Sequence, residues 1–331
     1  MTIMVTGAFG FVGLNIVEAL LGRGEMVVAL GLGKVPEEAE ADFDSLPGRL
    51  VAIEADVTTE GAIAGAMAAH GVERLIHTAA ITAGFEREQA TPAKVFEVNL
   101  MGTIAAIQAA RDNGVKKIVS FSSSSVYGSG ADDVEIVEEA TTWPRMGTTY
   151  AISKYAAERT AIRLGELWDL DVSLLRPGAV YGPFERDTGA RDTLSAVLQV
   201  TRMARAGTPV VLPRRAMADW VYGPDVAGAA IALLDATGLG GRVYNIACGP
   251  DKRFTLEAWC HKLKTQFPGF TARLAEPGET GNVELYGDRE RPPLSVRALA
   301  QDTGFVPAFG LEDAFAHYLR WIEKHSTVFA T

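Results

Sequence analysis

The sequence predicts a doubly wound parallel α/β sheet carrying a smaller C-terminal lobe, on three observations: short apolar runs recur at helix-length intervals, a glycine-rich turn follows the first run, and the rhythm weakens after Pro177. Strands covered by helices on both faces read as near-continuous apolar segments. Ile3 to Thr6, Met26 to Leu30, Leu50 to Ile53, Arg74 to His77, Lys117 to Phe121 and Val172 to Leu175 have that character. Between the first two, Val12, Ile16, Ala19 and Leu20 fall on one helical face, and Gly22 and Gly24 close the helix.

Beyond Pro177 the polar stretch Gly178 to Gly189 is expected to leave the sheet. Val243 to Ile246 reads as one more strand, and Pro224 suits the first turn of a helix over Asp225 to Ala236, so the chain returns to the sheet. The expected division is residues 1–177, with about 220–250 returning, for a dinucleotide-binding domain, and 178–219 with 251–331 for a substrate lobe. The last helix spans Leu311 to Lys324, with Leu311, Phe315, Leu319 and Ile322 on one face.

Composition removes several function classes. Apolar residues at 48% and charged residues at 22% suit a globular chain, while a net charge of -10 with scattered Lys and Arg argues against a nucleic-acid surface. Cys248 and Cys260 lack metal-ligand spacing and are expected to be buried free thiols, with no metal site. Met1 to Val5 runs straight into the glycine turn, unlike a signal peptide, and no 18-residue apolar run occurs. The expectation is a soluble cytoplasmic protein with a small-molecule substrate and neither membrane nor nucleic-acid partners.

Gly7, Gly10 and Gly13, placed between a strand and a helix, point to a pyrophosphate site. The first glycine allows a tight turn, the second close approach of backbone N–H groups, and the third helix–strand packing. Asp56 follows the third strand, where it either accepts from an adenine amino group or caps the Thr58 region. Gly31 stands where NAD-preferring folds place an acid that repels a 2′-phosphate, so weak discrimination between NAD and NADP is expected, and Gly31→Asp is expected to favour NAD. Lys34 is close enough in sequence to meet such a phosphate or to remain solvated.

Tyr150 and Lys154 lie four apart, on one face of a helix. A free phenol is a poor base at neutral pH, and an ammonium at about 4 Å in an effective dielectric of about 20 supplies roughly 4 kcal/mol toward its ionisation. The same spacing also suits a surface pair. Upstream, Ser122 to Ser125 end the fifth strand at its carboxyl edge, where ligands bind in open sheets and where hydroxyls also cap loops.

Together with Asp56-Val57, His77 to Ala80, Val98-Asn99-Leu100, Leu175-Arg176-Pro177, Val180 to Pro183 and Tyr244-Asn245-Ile246, these motifs resemble the extended short-chain dehydrogenase/reductases, the NAD-dependent epimerase/dehydratase group with a Rossmann-type fold. The resemblance implies Tyr150 as acid/base, Lys154 as its tuner and ribose ligand, Ser123 as holder of the substrate oxygen, and Asn99 as support for the helix and proton relay. It further implies cofactor contacts from Gly7, Phe9, Gly10, Phe11, Val12, Lys34, Asp56, Val57, Ala79, Ala80, Asn99, Tyr150, Lys154 and Pro177. A homodimer through the segments near Pro92 to Asn113 and Thr149 to Leu167 is also implied.

Two departures bear on substrate. Ser124 and Ser125 stand where sugar-nucleotide dehydratases of the group carry Asp-Glu, which removes the acid and base that elimination needs. Ala218 precedes Asp219-Trp220 where nucleotide-sugar enzymes tend to carry a diphosphate-binding Arg. Arg215 and Arg291 are candidates to compensate. Arg186 and Arg191 read either as ordinary surface charges or as receivers of a small anion such as a carboxylate. The expected activity is NAD(P)-dependent interconversion of a secondary alcohol and a carbonyl on a small polyhydroxy substrate, with Ser123, Ser124, Ser125, Arg186, Arg191 and Arg291 as substrate contacts. A nucleotide-sugar epimerase is the alternative, and a dinucleotide-binding protein without turnover is a third reading that the presence of both Tyr150 and Lys154 disfavours.

Overall fold

The computed structural model describes residues 1–239, 242–287 and 289–325. Strands β1 (Thr2–Thr6), β2 (Met26–Gly31), β3 (Arg49–Glu54), β4 (Arg74–His77), β5 (Lys117–Phe121), β6 (Asp171–Pro177) and the returning strand Val243–Ile246 form one seven-stranded sheet. Its order is Val243–Ile246, β6, β5, β4, β1, β2, β3, and every neighbouring pair is parallel. From β1 the chain winds one way through β2 and β3, then crosses to β4 and winds the other way. The carboxyl ends of β1 and β4 therefore flank the switch point, where an open α/β sheet leaves a ligand crevice.

Alternation along the strands explains the burial. Ile3, Val5, Val27 and Ala29 pack into the core on one face, whereas Met4, Val28 and Leu30 pack into the core on the other. The segment expected as one helix near Pro92 comprises helical residues Pro92–Phe96, a π-helical turn Glu97–Met101 and the helix Gly102–Asp112. The wider turn carries the buried Asn99.

The stretch after β6 leaves the sheet as expected but makes a brief parallel pair, Ala179–Tyr181 with Trp220–Tyr222. Met217–Ala218 pairs antiparallel with Phe254–Thr255, and Val210–Leu212 pairs parallel with Ala272–Leu274. Aromatic contacts bind these pieces to the C-terminal helices Leu256–Gln266 and Leu311–Lys324: Tyr181 lies 5.2 Å from Tyr222 and 5.4 Å from Trp259, which lies 5.0 Å from Phe315. The helix Gly223–Asp235 carries Pro224 in its first turn. Both cysteines are buried and free, and among the described residues no helix is long and apolar enough to cross a membrane.

Candidate functional site

The turn after β1 has the shape of a cradle. Gly7 has φ of +69°, and a Cβ there would lie 2.6 Å from the Ala79 nitrogen; a Cβ on Gly13 would lie 2.2 Å from the Gly7 carbonyl oxygen. Only glycine permits both approaches. The helix Phe11–Gly22 begins at Gly10 with no side-chain cap, which leaves backbone donors at its N-terminus for a ligand. Phe9 is buried with its ring against Gly31, so that a Cβ at 31 would lie 2.9 Å from the ring and 3.1 Å from the Phe9 nitrogen. The Gly31→Asp change expected to favour NAD therefore requires the Phe9 ring to shift before a carboxylate is admitted. Val57 packs under Gly102, Ala79 follows β4 against Gly7 with Ala80 next in sequence, and Pro177 ends β6. Lys34 is exposed after β2. Asp56 accepts from the Thr58 amide at 2.8 Å and hydroxyl at 2.7 Å, the capping arrangement.

Tyr150 and Lys154 lie on the helix Thr149–Trp168, whose start is capped by Thr148. Tyr150 is half-buried, whereas Lys154 is 2% exposed. Burial pushes the Lys154 ammonium down to about 8, against the opposing pull of Glu158. No ion pair to Lys154 exists among the described residues, because the carboxylate one turn on, Glu158, is already engaged. It accepts from Arg176 Nε at 2.8 Å, Arg176 Nη2 at 2.5 Å and Ser122 Oγ at 2.7 Å. Ser123 Oγ accepts from the Ser125 amide at 3.2 Å and from Ser125 Oγ at 2.9 Å, so its own proton is left to donate. Ser124 opens the following 3-10 turn.

Asn99 bonds to Ile81 and Ser153. Its Oδ1 accepts from the Ile81 amide at 2.8 Å, and its Nδ2 donates to the Ile81 carbonyl at 3.0 Å and to Ser153 Oγ at 2.9 Å. Ser153 Oγ donates in turn to the Tyr150 carbonyl. Both amide hydrogens of Asn99 are thus engaged, and its side chain ties the Ile81 backbone to the start of the Tyr150 helix. The relay extends inward. Thr103 Oγ1 donates to the Asn99 carbonyl and so accepts from His77 Nε2, leaving Nδ1 to accept from Thr6 Oγ1 at 2.7 Å. Burial, with the Lys154 charge, pushes His77 down to about 3 and keeps the ring neutral.

The arginines part company. Arg191 faces the Tyr150 phenol electrostatically. It donates to Glu185 Oε1 at 3.0 Å and Tyr286 Oη at 3.2 Å, with its guanidinium 5.8 Å from the Phe11 ring centroid. Arg186, five residues earlier, reaches the glycine turn instead, donating to the Phe9 carbonyl at 2.7 Å, while Asn15 holds the Pro183 carbonyl against the helix Phe11–Gly22. Arg215 points outward to Glu257. Arg291 is exposed, and its carbonyl accepts from Arg253. Arg253, which sequence reasoning missed, stands beside Ala218 with its Nε 3.1 Å from Asp219 Oδ1.

The model of the NAD dependent epimerase/dehydratase family matches residues 3–247, which hold the glycine cradle, the Ser123 turn and the Tyr150 helix. The chain belongs to this family. Across nearly its whole length, 98% of this chain and 100% of the other, it is 27% identical to a UDP-glucose 4-epimerase of Mycolicibacterium smegmatis. It is 35% identical over 56% of its length to sterol demethylase protein B of Methylococcus capsulatus, a match that spans about half of that protein, 53%. Among solved structures, the Thermus thermophilus UDP-glucose 4-epimerase in complex with NAD is 28% identical, with a TM-score of 0.77 over 96% of this chain and 99% of the other. Family members are NAD-dependent enzymes, with epimerases, dehydratases and reductases among the relatives.

Proposed function

We propose that the chain is an NAD(P)-dependent oxidoreductase that interconverts a secondary alcohol and a carbonyl on a small polyhydroxy substrate, a sugar or sugar acid. The observation that carries this reading is the buried Lys154 cation, left without an ion-pair partner one helical turn from a half-buried tyrosine. Tyr150 passes the proton to or from the substrate oxygen, and Ser123, oriented by Ser125, donates to the same oxygen. The glycine cradle, Lys154 and Pro177 fit a dinucleotide, which when bound supplies or receives hydride. Gly31 offers no acid against a 2′-phosphate, which supports use of either cofactor. Arg191 beside Tyr150 supports an anionic or polyhydroxy substrate.

A second reading, a nucleotide-sugar epimerase, draws on the full-length similarity to the mycobacterial epimerase and on Arg253, which stands next to the position of the missing arginine. Screening purified protein with NAD and NADP against free polyols, aldonates and lactones, alongside UDP and dTDP sugars, separates the two. Turnover of free substrates is expected. Turnover confined to nucleotide sugars, with NAD retained through purification, would put the epimerase first. A cytoplasmic homodimer is part of the proposal; exposed Met101, Ile152 and Leu167 on the two expected helical segments support the dimer.

A further inference from the structure

The segment Gly182 to Arg186 is tied to the glycine turn from both sides. Asn15 Nδ2, in the helix that follows the turn, donates to the Pro183 carbonyl at 2.9 Å. Arg186 Nη2 donates to the Phe9 carbonyl, inside the turn, at 2.7 Å. Between these anchors Phe184 adopts φ of +66°, a left-handed conformation that non-glycine residues rarely take. Its buried ring packs 6.0 Å from Phe43 and 5.3 Å from Trp321, which holds that conformation in place. One consequence is that successive side chains diverge. Glu185 turns inward to Ser195 and Arg191, and Arg186 turns to the glycine turn.

The Arg186 guanidinium is half-buried, and its hydrogen bonds run to backbone carbonyls. Among the described residues it forms no ion pair. Burial pulls its pKa down, against the opposing pull of Glu38. A partly desolvated cation without an ion-pair partner, fixed on a turn whose backbone donors already suit phosphate, has a specific use: it offers a charged donor to a second oxygen of the same ligand. A role limited to stapling the turn would need the hydrogen bond but not the charge.

We infer that Arg186 is a phosphate-binding residue of the dinucleotide site, contacting either the pyrophosphate or a 2′-phosphate of the cofactor. The inference rests on the dinucleotide reading above. The bond to the Phe9 carbonyl holds the guanidinium at the turn whose uncapped helix N-terminus suits a phosphate, and Gly31 brings no carboxylate against a 2′-phosphate.

Calorimetric titration of the protein with NAD, NADP and ADP-ribose, for wild type, Arg186→Gln and Arg186→Lys, tests it. Glutamine keeps a donor for the Phe9 carbonyl without the charge, and lysine keeps the charge. Arg186→Gln is expected to weaken binding by about tenfold to a hundredfold, and Arg186→Lys by less than about tenfold. Equal loss for all three ligands assigns the pyrophosphate; loss confined to NADP assigns the 2′-phosphate. Wild-type affinity in Arg186→Gln for every ligand overturns the inference, as does equal loss in the lysine and glutamine variants, which would mark a staple of fixed geometry. If wild type itself binds none of the ligands, the dinucleotide reading fails first.

Discussion

Two buried cations, Lys154 on the helix Thr149–Trp168 and Arg176 on β6, are treated in opposite ways. Lys154, on the floor of the cleft, has no ion-pair partner among the described residues, and burial lowers its pKa to about 8. Arg176, in the platform behind it, is gripped by Glu158 through two bonds, faces the Tyr127 ring at 4.7 Å, and has its pKa raised by that carboxylate against the opposing effect of burial. The difference teaches that Glu158 is committed to Arg176 and Ser122, which leaves Lys154 without an ion-pair partner among the described residues. Tyr127 extends the platform by donating to Asn245 Oδ1 at 2.8 Å, while Glu139 accepts from the Asn245 amide. A buried charge that stabilised only the fold would be paired in this way.

The largest effect is expected on the floor. Tyr150→Phe should lower turnover by roughly 10²–10⁴-fold while dinucleotide affinity, read by calorimetry, stays within about threefold. A loss under tenfold would remove the proton-transfer role. In the platform, Arg176→Met leaves Glu158 charged and buried without its partner, and urea unfolding should show a loss of about 3–5 kcal/mol. A neutral result there would mean that Glu158 is free to serve Lys154, and the contrast between the two sites would collapse.

Asn99→Ala sharpens the comparison from the side of the relay. It strips partners from the Ile81 amide and from Ser153, and a stability loss of about 1–3 kcal/mol is expected, with a fall in turnover but no change in the shape of its pH profile. A shifted profile would return Asn99 to the proton path.

The floor was legible in the sequence because its pieces are local: a four-residue spacing joins Tyr150 to Lys154, Ser123 follows a strand end, and the cradle needs only three glycines between β1 and a helix. The helix Leu311–Lys324 and strands β4 and β5 likewise carry their signals in their own residues. The platform was not legible, although Glu158 stands four residues beyond Lys154, because what distinguishes the two is a guanidinium brought from β6. Arg186 shows the same limit. Its charged neighbours in sequence suggested a substrate loop, and only the long-range bonds of Asn15 to Pro183 and of Arg186 to Phe9 turn it toward the cofactor side. Gly31 read as a missing acid, whereas the fold shows a position that the Phe9 ring closes to side chains.

The central claim, that Lys154 is held in the fold at a cost to stability, is tested most directly by unfolding the ligand-free protein and Lys154→Met in urea from pH 7 to pH 9. A lysine whose pKa is near 8 when folded and 10.5 when unfolded gives up its proton earlier in the native state. The unfolded chain therefore binds more protons between those values, and the native state gains stability as pH rises through that window; below about pH 8 the full cost remains. Wild type should thus gain on the order of 1 kcal/mol relative to Lys154→Met between pH 7 and pH 9, with the variant the more stable at pH 7. Parallel stability curves, or a wild type more stable than Lys154→Met at pH 7, would show that the ammonium is compensated within the fold and would contradict the account.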